Sequence, residues 1–290
     1  MTIPIIRGLS ELSADYDGFI LDIWGVVHQG GDAYPEAIDC VRQLRDAGKR
    51  VVFLSNAPRR AETVAQIIED KGIPRELYDA ILSSGEAARI AFEAGDEAPL
   101  NTLGRRYYLL AASGDDGLLD GLDYSAVGDV SEADFLLTIG LSEKRPDIAS
   151  HVETLSQAAS RDVTMVCVNP DIEVVRLGQR ELCAGALAQH YEKIGGKVVH
   201  VGKPYPLVYR LCLELLGIAP QERVLAVGDG METDIPGARA ASIDALLVTG
   251  GLLAEQLGIT RFEAPDPAAL AEICRAANEC PRAAIPALSW

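Results

Sequence analysis

Short, unbroken apolar runs alternate with helical patterns towards both ends of this chain, and a chain patterned that way has few ways to fold. The run at 18–23 is followed by a helical pattern at 35–47 and a second run at 50–54, which predicts a β-α-β unit. A helix at 60–71, a strand at 80–82 and a helix at 85–94 continue the series. The alternation returns at 197–201, 206–216, 224–227, 234–241 and 245–248. Strands that are apolar on both faces must be covered on both, so the expected fold is α/β, a doubly wound parallel sheet. Strand-like runs at 107–111, 135–139 and 163–168, with helical patterns at 147–160 and 180–194, predict a smaller α/β domain inserted into the first. The expected division is a discontinuous core of residues 1–83 and 201–290 and an insert of residues 84–200.

Composition supports two cores and removes several functions. Hydrophobic residues make up 48% of the 290, enough for two ordinary domains. A formal charge of −17 leaves no basic stripe to displace counterions from a nucleic-acid backbone. Residues 1–18 lack a basic segment followed by an apolar one, and no apolar run approaches the length of a membrane span, so the reading is a cytoplasmic protein with no membrane partner. The six cysteines, at 40, 167, 183, 212, 274 and 280, form no C-x-x-C pair and are expected to be reduced and mostly buried, not zinc ligands or disulfides. The polar stretch at 113–123 holds four Asp and three Gly but no closing Glu, so it is expected to be a turn-rich surface segment and not a calcium loop. A helix at 267–278 is expected after the acidic loop at 263–266.

The ends of the predicted core strands carry the chemistry. Asp22 follows the apolar Phe19-Ile20-Leu21, and the carboxyl ends of strands in an open parallel sheet are where ligands bind. A carboxylate there is costly to bury without a metal or a hydrogen-bonding role, although a capping Asp at a strand-to-helix turn would look the same. Ser55 and Asn56 end the second run and offer a hydroxyl and the amides of a helix start to an anion. Lys203, in Gly202-Lys203-Pro204, would supply a fixed cation, and Asp229 and Asp234 place two acids beyond the run at 224–227. Hard carboxylate oxygens suit Mg²⁺, which completes its shell with water and substrate phosphate. Each feature alone has a structural explanation. Their recurrence at successive strand ends does not.

In this order, Asp22, Ser55, Lys203 and Asp229 with Asp234 resemble the four motifs of the haloacid dehalogenase superfamily. The insert, with Asn169-Pro170-Asp171 and Gly185-Ala186-Leu187-Ala188, resembles the class IIA cap of the nitrophenylphosphatase type, and residues 228–237, GDGMETDIPG, resemble that class's fourth motif. The resemblance implies a Rossmann-like core with an inserted cap, and Mg²⁺ held by Asp22, the backbone carbonyl of Trp24, Asp229 and Asp234. It also implies Asp22 as nucleophile, Ser55, Asn56 and Lys203 around the phosphate, and the loop carrying Asn169 and Asp171 towards the leaving group. The chain departs from the family where most members read D-x-D-G. Here the second acid, which protonates the leaving oxygen, is Trp24, and the chain resembles a bacterial branch that reads D-x-W-G. An indole N–H only donates, so this acid/base function is missing. His28 lies four residues on and could titrate usefully, although position alone favours a packing histidine.

The expected function is therefore a Mg²⁺-dependent phosphatase of small monoesters such as sugar or aryl phosphates, acting through an aspartyl-phosphate. Its partner is a small phosphorylated substrate, and the sequence leaves room for a homo-oligomer. Two alternatives stand beside it. One is a catalytically silent phosphate-binding or regulatory module, suggested by the lost acid. The other is a 2-haloacid dehalogenase, suggested by an aromatic residue at position 24.

Overall fold

The computed structural model describes residues 3–111, 117–141, 144, 146–176, 179–219 and 221–290. In chain order the elements are β1 (Gly18–Asp22), α1 (Pro35–Asp46), β2 (Arg50–Ser55), α2 (Ala61–Asp70), β3 (Ala80–Ser83), α3 (Ser84–Ala94), β4 (Arg106–Leu110) and β5 (Ser125–Val127). There follow β6 (Phe135–Thr138), α4 (Val152–Ser160), β7 (Thr164–Cys167), β8 (Glu173–Arg176), β9 (Gln179–Leu182), α5 (Ala184–Lys193) and β10 (Val198–His200). The chain ends with α6 (Pro206–Leu216), β11 (Val224–Gly228), α7 (Asp234–Ala240), β12 (Asp244–Val248), α8 (Ala254–Leu257), α9 (Pro267–Ala276) and β13 (Ala283–Ile285). Among the described residues no helix is long and apolar enough to cross a membrane.

These elements form two units. The first comprises Met1–Ser55, Val64–Leu82 and Lys203–Trp290, and the second Asn56–Thr63 and Ser83–Gly202. The segment Asn56–Thr63 thus groups with the second unit, whereas the sequence division left it in the core.

The first unit is built on a six-stranded sheet of order β13-β12-β11-β1-β2-β3. β1 pairs in parallel with both β2 and β11, so the chain winds outwards from β1 in one direction and then in the other. That leaves the switch of winding direction at the C-terminal ends of β1 and β11. Every residue of β1 and β11 is buried, as expected of strands covered on both faces. α1 starts with Pro35 at its first turn and buries Ala37, Cys40, Val41 and Leu44, the spacing of one helical face. α6 ends at Gly217 in the left-handed region, and the Asp266 carboxylate caps α9 by accepting from the Ala268 and Ala269 amides.

The second unit is built on a five-stranded parallel sheet of order β10-β7-β6-β4-β5. Leu136, Met165, Leu155, Leu187 and Tyr191 belong to one buried cluster of this unit, and the Tyr191 hydroxyl is satisfied by the Val163 carbonyl at 2.5 Å. Phe135 stacks on Phe92 at 5.5 Å between ring centres, with Tyr107 and Tyr124 around it.

Several elements differ from the sequence reading. The helix expected at 180–194 starts only at Ala184, because Gln179–Leu182 pairs antiparallel with Glu173–Arg176. Ladder pairing there overrides local helix propensity. The strands at Ser125–Val127 and Ala283–Ile285 have three residues each, too short for periodicity to reveal. Residues 113–116 of the polar stretch lie outside the described residues, but Leu118 and Leu119 within it are buried. Cys280 is exposed and the other cysteines are buried.

Phe135 is fully buried among aromatic rings, so Phe135→Ala is expected to cost about 3–5 kcal/mol of stability. Urea unfolding followed by circular dichroism measures it.

Candidate active site

The parallel register of β1 with β11, Leu21 opposite Val227, brings the ends of both strands to one edge. Asp22 is the last residue of β1, and Asp229 follows β11 directly. Asp234 opens α7. One carboxylate oxygen from each of these three residues lies within 4.8 Å of the others, and all three residues are buried. Lys203 is 3% exposed and donates to Asp22 Oδ1 at 2.5 Å and to Asp234 Oδ1 at 2.9 Å. Ser55, also buried, ends β2 beside β1.

Asp229 and Asp234 are each held by a backbone amide. The Leu252 N–H donates to Asp229 Oδ2 at 2.9 Å. A side chain at Gly25 or Gly251 would place its Cβ 2.0 or 2.1 Å from that same oxygen, and Gly25 also has φ +82°. Only glycine lets both loops close on the carboxylate. Asp234 Oδ2 accepts from the Gly230 N–H at 3.1 Å and the Thr233 hydroxyl at 3.3 Å, while its carbonyl accepts from the Tyr209 hydroxyl at 3.1 Å.

The loop after β1 is tightly bonded around Trp24. The Ile23 carbonyl accepts from the Val27 and His28 amides, and the Gly25 N–H donates to the His28 carbonyl at 2.8 Å. Trp24 is partly exposed, and its ring meets His28 edge to face at 5.2 Å. His28 is buried, and its Nδ1 accepts from the Gly30 N–H at 3.1 Å, which leaves the ring proton on Nε2 in the neutral form.

Asn56, Asn169 and Asp171 lie in the second unit, where Asn56 Nδ2 donates to Asp171 Oδ1 at 2.8 Å and the Asp171 N–H donates to Asn169 Oδ1 at 3.2 Å. The Ser84 hydroxyl donates to Asn56 Oδ1 at 3.2 Å. The helix start expected at Asn56 is absent. α2 begins at Ala61, whose N–H donates to the Glu86 carboxylate, and Pro58 biases the residue before it away from helix. The structure therefore gathers Asp22, Lys203, Asp229 and Asp234 at one point of the first unit, and Asn56, Asn169 and Asp171 at one point of the second.

Comparison with known proteins matches residues 19–125 to the haloacid dehalogenase-like hydrolase family model and residues 200–273 to a HAD-hydrolase-like model. Human chronophin is 28% identical over 265 residues, covering 84% of this chain and 86% of its own. The ribonucleotide monophosphatase NagD of Escherichia coli K12 is 27% identical over 237 residues, covering 80% of this chain and 87% of its own. The crystal structure of a haloacid dehalogenase-like hydrolase from Brucella suis superposes with a TM-score of 0.81 at 29% identity, covering 98% of this chain and 99% of that one. The chain belongs to the haloacid dehalogenase-like hydrolases.

In this haloacid dehalogenase-like site, three carboxylates face one ammonium, so two negative charges remain when all four groups are ionised. Burial pushes Asp22 well above the usual carboxylate range, Lys203 opposes this, and the charges of Asp234 and Asp229 add to it. Asp229 is pushed up to about 7 by burial and then by Asp234. Burial pulls the Lys203 ammonium down, but Asp22 and Asp234 outweigh it and hold the group charged. An all-oxygen donor set with excess negative charge fits a hard divalent cation such as Mg²⁺.

Sequence reading missed Gly251 and Leu252, although the Gly250-Gly251 pair directly beyond a core strand was a signal. It also missed Tyr209, which reads as one more buried helix residue. Between about pH 4 and 7 the folded, cation-free protein holds a proton on Asp229 that the unfolded chain has lost, so its stability falls as pH rises. Thermal melts in EDTA are expected to show a falling Tm from pH 5 to 8, and melts in saturating Mg²⁺ a weaker dependence.

Proposed function

We propose that this chain is a Mg²⁺-dependent phosphatase of small phosphate monoesters that works through an aspartyl-phosphate on Asp22. The observation that carries the reading is the buried Asp22–Lys203–Asp234 triad with Asp229 alongside, at the switch point of the sheet. Asp22, the Trp24 carbonyl and Asp229 would hold the cation, with Asp234 in support. When bound, Mg²⁺ supplies charge neutralisation for the phosphate and the attacking carboxylate.

An Asp22 oxygen attacks phosphorus, the bond to the leaving oxygen breaks, and the phosphoryl group rests on Asp22. Water then attacks phosphorus and returns Asp22 as a carboxylate with inorganic phosphate. Lys203 keeps its charge against Asp22 and stabilises negative charge on the equatorial oxygens together with the Ser55 hydroxyl. Asn56, Asn169 and Asp171 are assigned to substrate binding, with the Asn169–Asp171 loop meeting the leaving group. NagD is named a ribonucleotide monophosphatase, which supports a small phosphorylated substrate here. The acids at 229 and 234 weigh against carbon–halogen chemistry, which needs no cation.

Asp22→Asn preserves volume and removes the nucleophile. Phosphate release from p-nitrophenyl phosphate in Mg²⁺ is expected to vanish in this variant with the melting curve intact, and mass spectrometry of the quenched wild-type enzyme is expected to find a phosphorylated Asp22. Full activity of Asp22→Asn sinks the proposal.

Trp24 supplies no proton to the leaving group, and His28 holds its ring against Gly30. The rate is therefore expected to fall steeply with leaving-group pKa, from p-nitrophenyl phosphate to alkyl and sugar phosphates. Trp24→Asp is expected to raise alkyl phosphate turnover by up to about 10²–10⁴-fold, the usual contribution of a placed acid/base group. Equal rates of the wild-type enzyme on aryl and alkyl esters would show that another group donates the proton.

A further inference from the structure

Arg261 lies 239 positions beyond Asp22 in sequence, outside every motif, yet its side chain reaches the loop that follows Asp22. Nη1 donates to the Gly25 carbonyl and Nη2 to the Val26 carbonyl, each at 2.9 Å. The guanidinium lies over the Tyr34 ring at 3.2 Å and near Phe262 at 5.8 Å. Its Nε is buried with no hydrogen-bond partner among the described residues. A buried donor left unsatisfied costs stability, so two carbonyl bonds are made at the expense of a third donor.

The carbonyls of Ile23 and Val27 accept from the Val27 and Tyr34 amides respectively, and that of His28 from the Gly25 amide. Local backbone amides thus hold those three, whereas Gly25 and Val26 depend on a side chain from a distant loop. Gly25 is also the residue whose left-handed backbone closes on Asp229. Rotation of the Gly25 peptide would move the Trp24 carbonyl on one side and the contact with Asp229 on the other.

We infer that Arg261 is a positioning residue for the cation site, acting through the Gly25 and Val26 carbonyls to fix the backbone at Trp24. The inference rests on the proposed Mg²⁺ role of the Trp24 carbonyl. The planar fork of arginine suits two adjacent carbonyls in a way that a lysine ammonium does not.

The test compares Arg261→Met, Arg261→Lys and the neighbouring Phe262→Ala. Mg²⁺ binding to metal-stripped protein is measured by isothermal titration calorimetry, and kcat and KM with p-nitrophenyl phosphate. Arg261→Met is expected to weaken Mg²⁺ binding and lower kcat by about 10–100-fold, the usual range for groups that orient metal ligands, with KM little changed. Charge alone predicts the opposite sign, since removing a cation from an acidic site strengthens Mg²⁺ binding. Arg261→Lys is expected to lie between Arg261→Met and wild type, and it carries the test if Arg261→Met does not fold. Phe262→Ala, which leaves both carbonyl bonds in place, is expected to bind Mg²⁺ as wild type does. Wild-type Mg²⁺ affinity and kcat in the Arg261 variants overturn the inference, as does an equal loss in Phe262→Ala. A wild-type protein that binds no Mg²⁺ overturns the proposed function itself.

Discussion

Three carboxylates and one ammonium occupy a space at the end of β1 and β11 from which solvent is nearly excluded. Burying ions away from water is expensive, and one Lys203 cannot neutralise Asp22, Asp229 and Asp234 together. The remaining charge must be met by a proton or by a cation. Without a metal a proton can meet it, and burial with mutual repulsion pushes Asp22 and Asp229 in that direction. A divalent cation removes the same imbalance while leaving Asp22 ionised, the form a nucleophile requires. The electrostatic cost of the site and its proposed chemistry therefore have one source.

That arrangement depends on a scaffold able to hold like charges together. The parallel pairing of β1 with both β2 and β11 sets the ends of three buried strands side by side. Loops then close on the carboxylates from two directions, and Gly25 and Gly251 are required because a Cβ at either would collide with Asp229. The Leu252 amide and the Gly230 amide each donate to one acid. These donors are backbone groups, so they cannot move away when the carboxylates repel one another. Rigidity here does the work that dispersal in solvent does at a surface.

Much of this was legible in the sequence because strand-end chemistry leaves a local mark. Asp22, Ser55, Lys203 and Asp229 each stand just past an apolar run, so the pattern that predicts the strand also predicts the position of the residue. The order of the motifs then resembled a family, and the comparisons support that family. What was not legible is long-range. Nothing near Arg261 indicates a bond to Gly25, 236 positions away, and nothing near Tyr209 indicates that its hydroxyl meets the Asp234 carbonyl. The β8–β9 hairpin was missed for a related reason, since its strands are specified by each other and not by their own periodicity. Asn56 shows a third kind of long-range information. Its side-chain amide donates to Asp171, a partner set 115 positions away that nothing near Asn56 indicates.

Position 24 separates two demands that most members of the family place on one residue. Under the proposed mechanism, the backbone carbonyl belongs to cation binding and the side chain to proton transfer. The backbone demand is independent of side-chain type, because the loop is held by the Gly25 amide on His28, the Ile23 carbonyl and the Arg261 fork. An indole can therefore replace a carboxylic acid without loosening the loop. It also replaces a further negative charge with a neutral ring, so the surplus that Lys203 faces is smaller than an acid at this position would make it. The Trp24 ring meets His28 edge to face, and the Gly30 amide donates to His28 Nδ1. The consequence falls on chemistry alone. In the proposed mechanism, phosphoryl transfer to Asp22 keeps its nucleophile and its charge stabilisation, while expulsion of the leaving oxygen relies on that oxygen's own acidity.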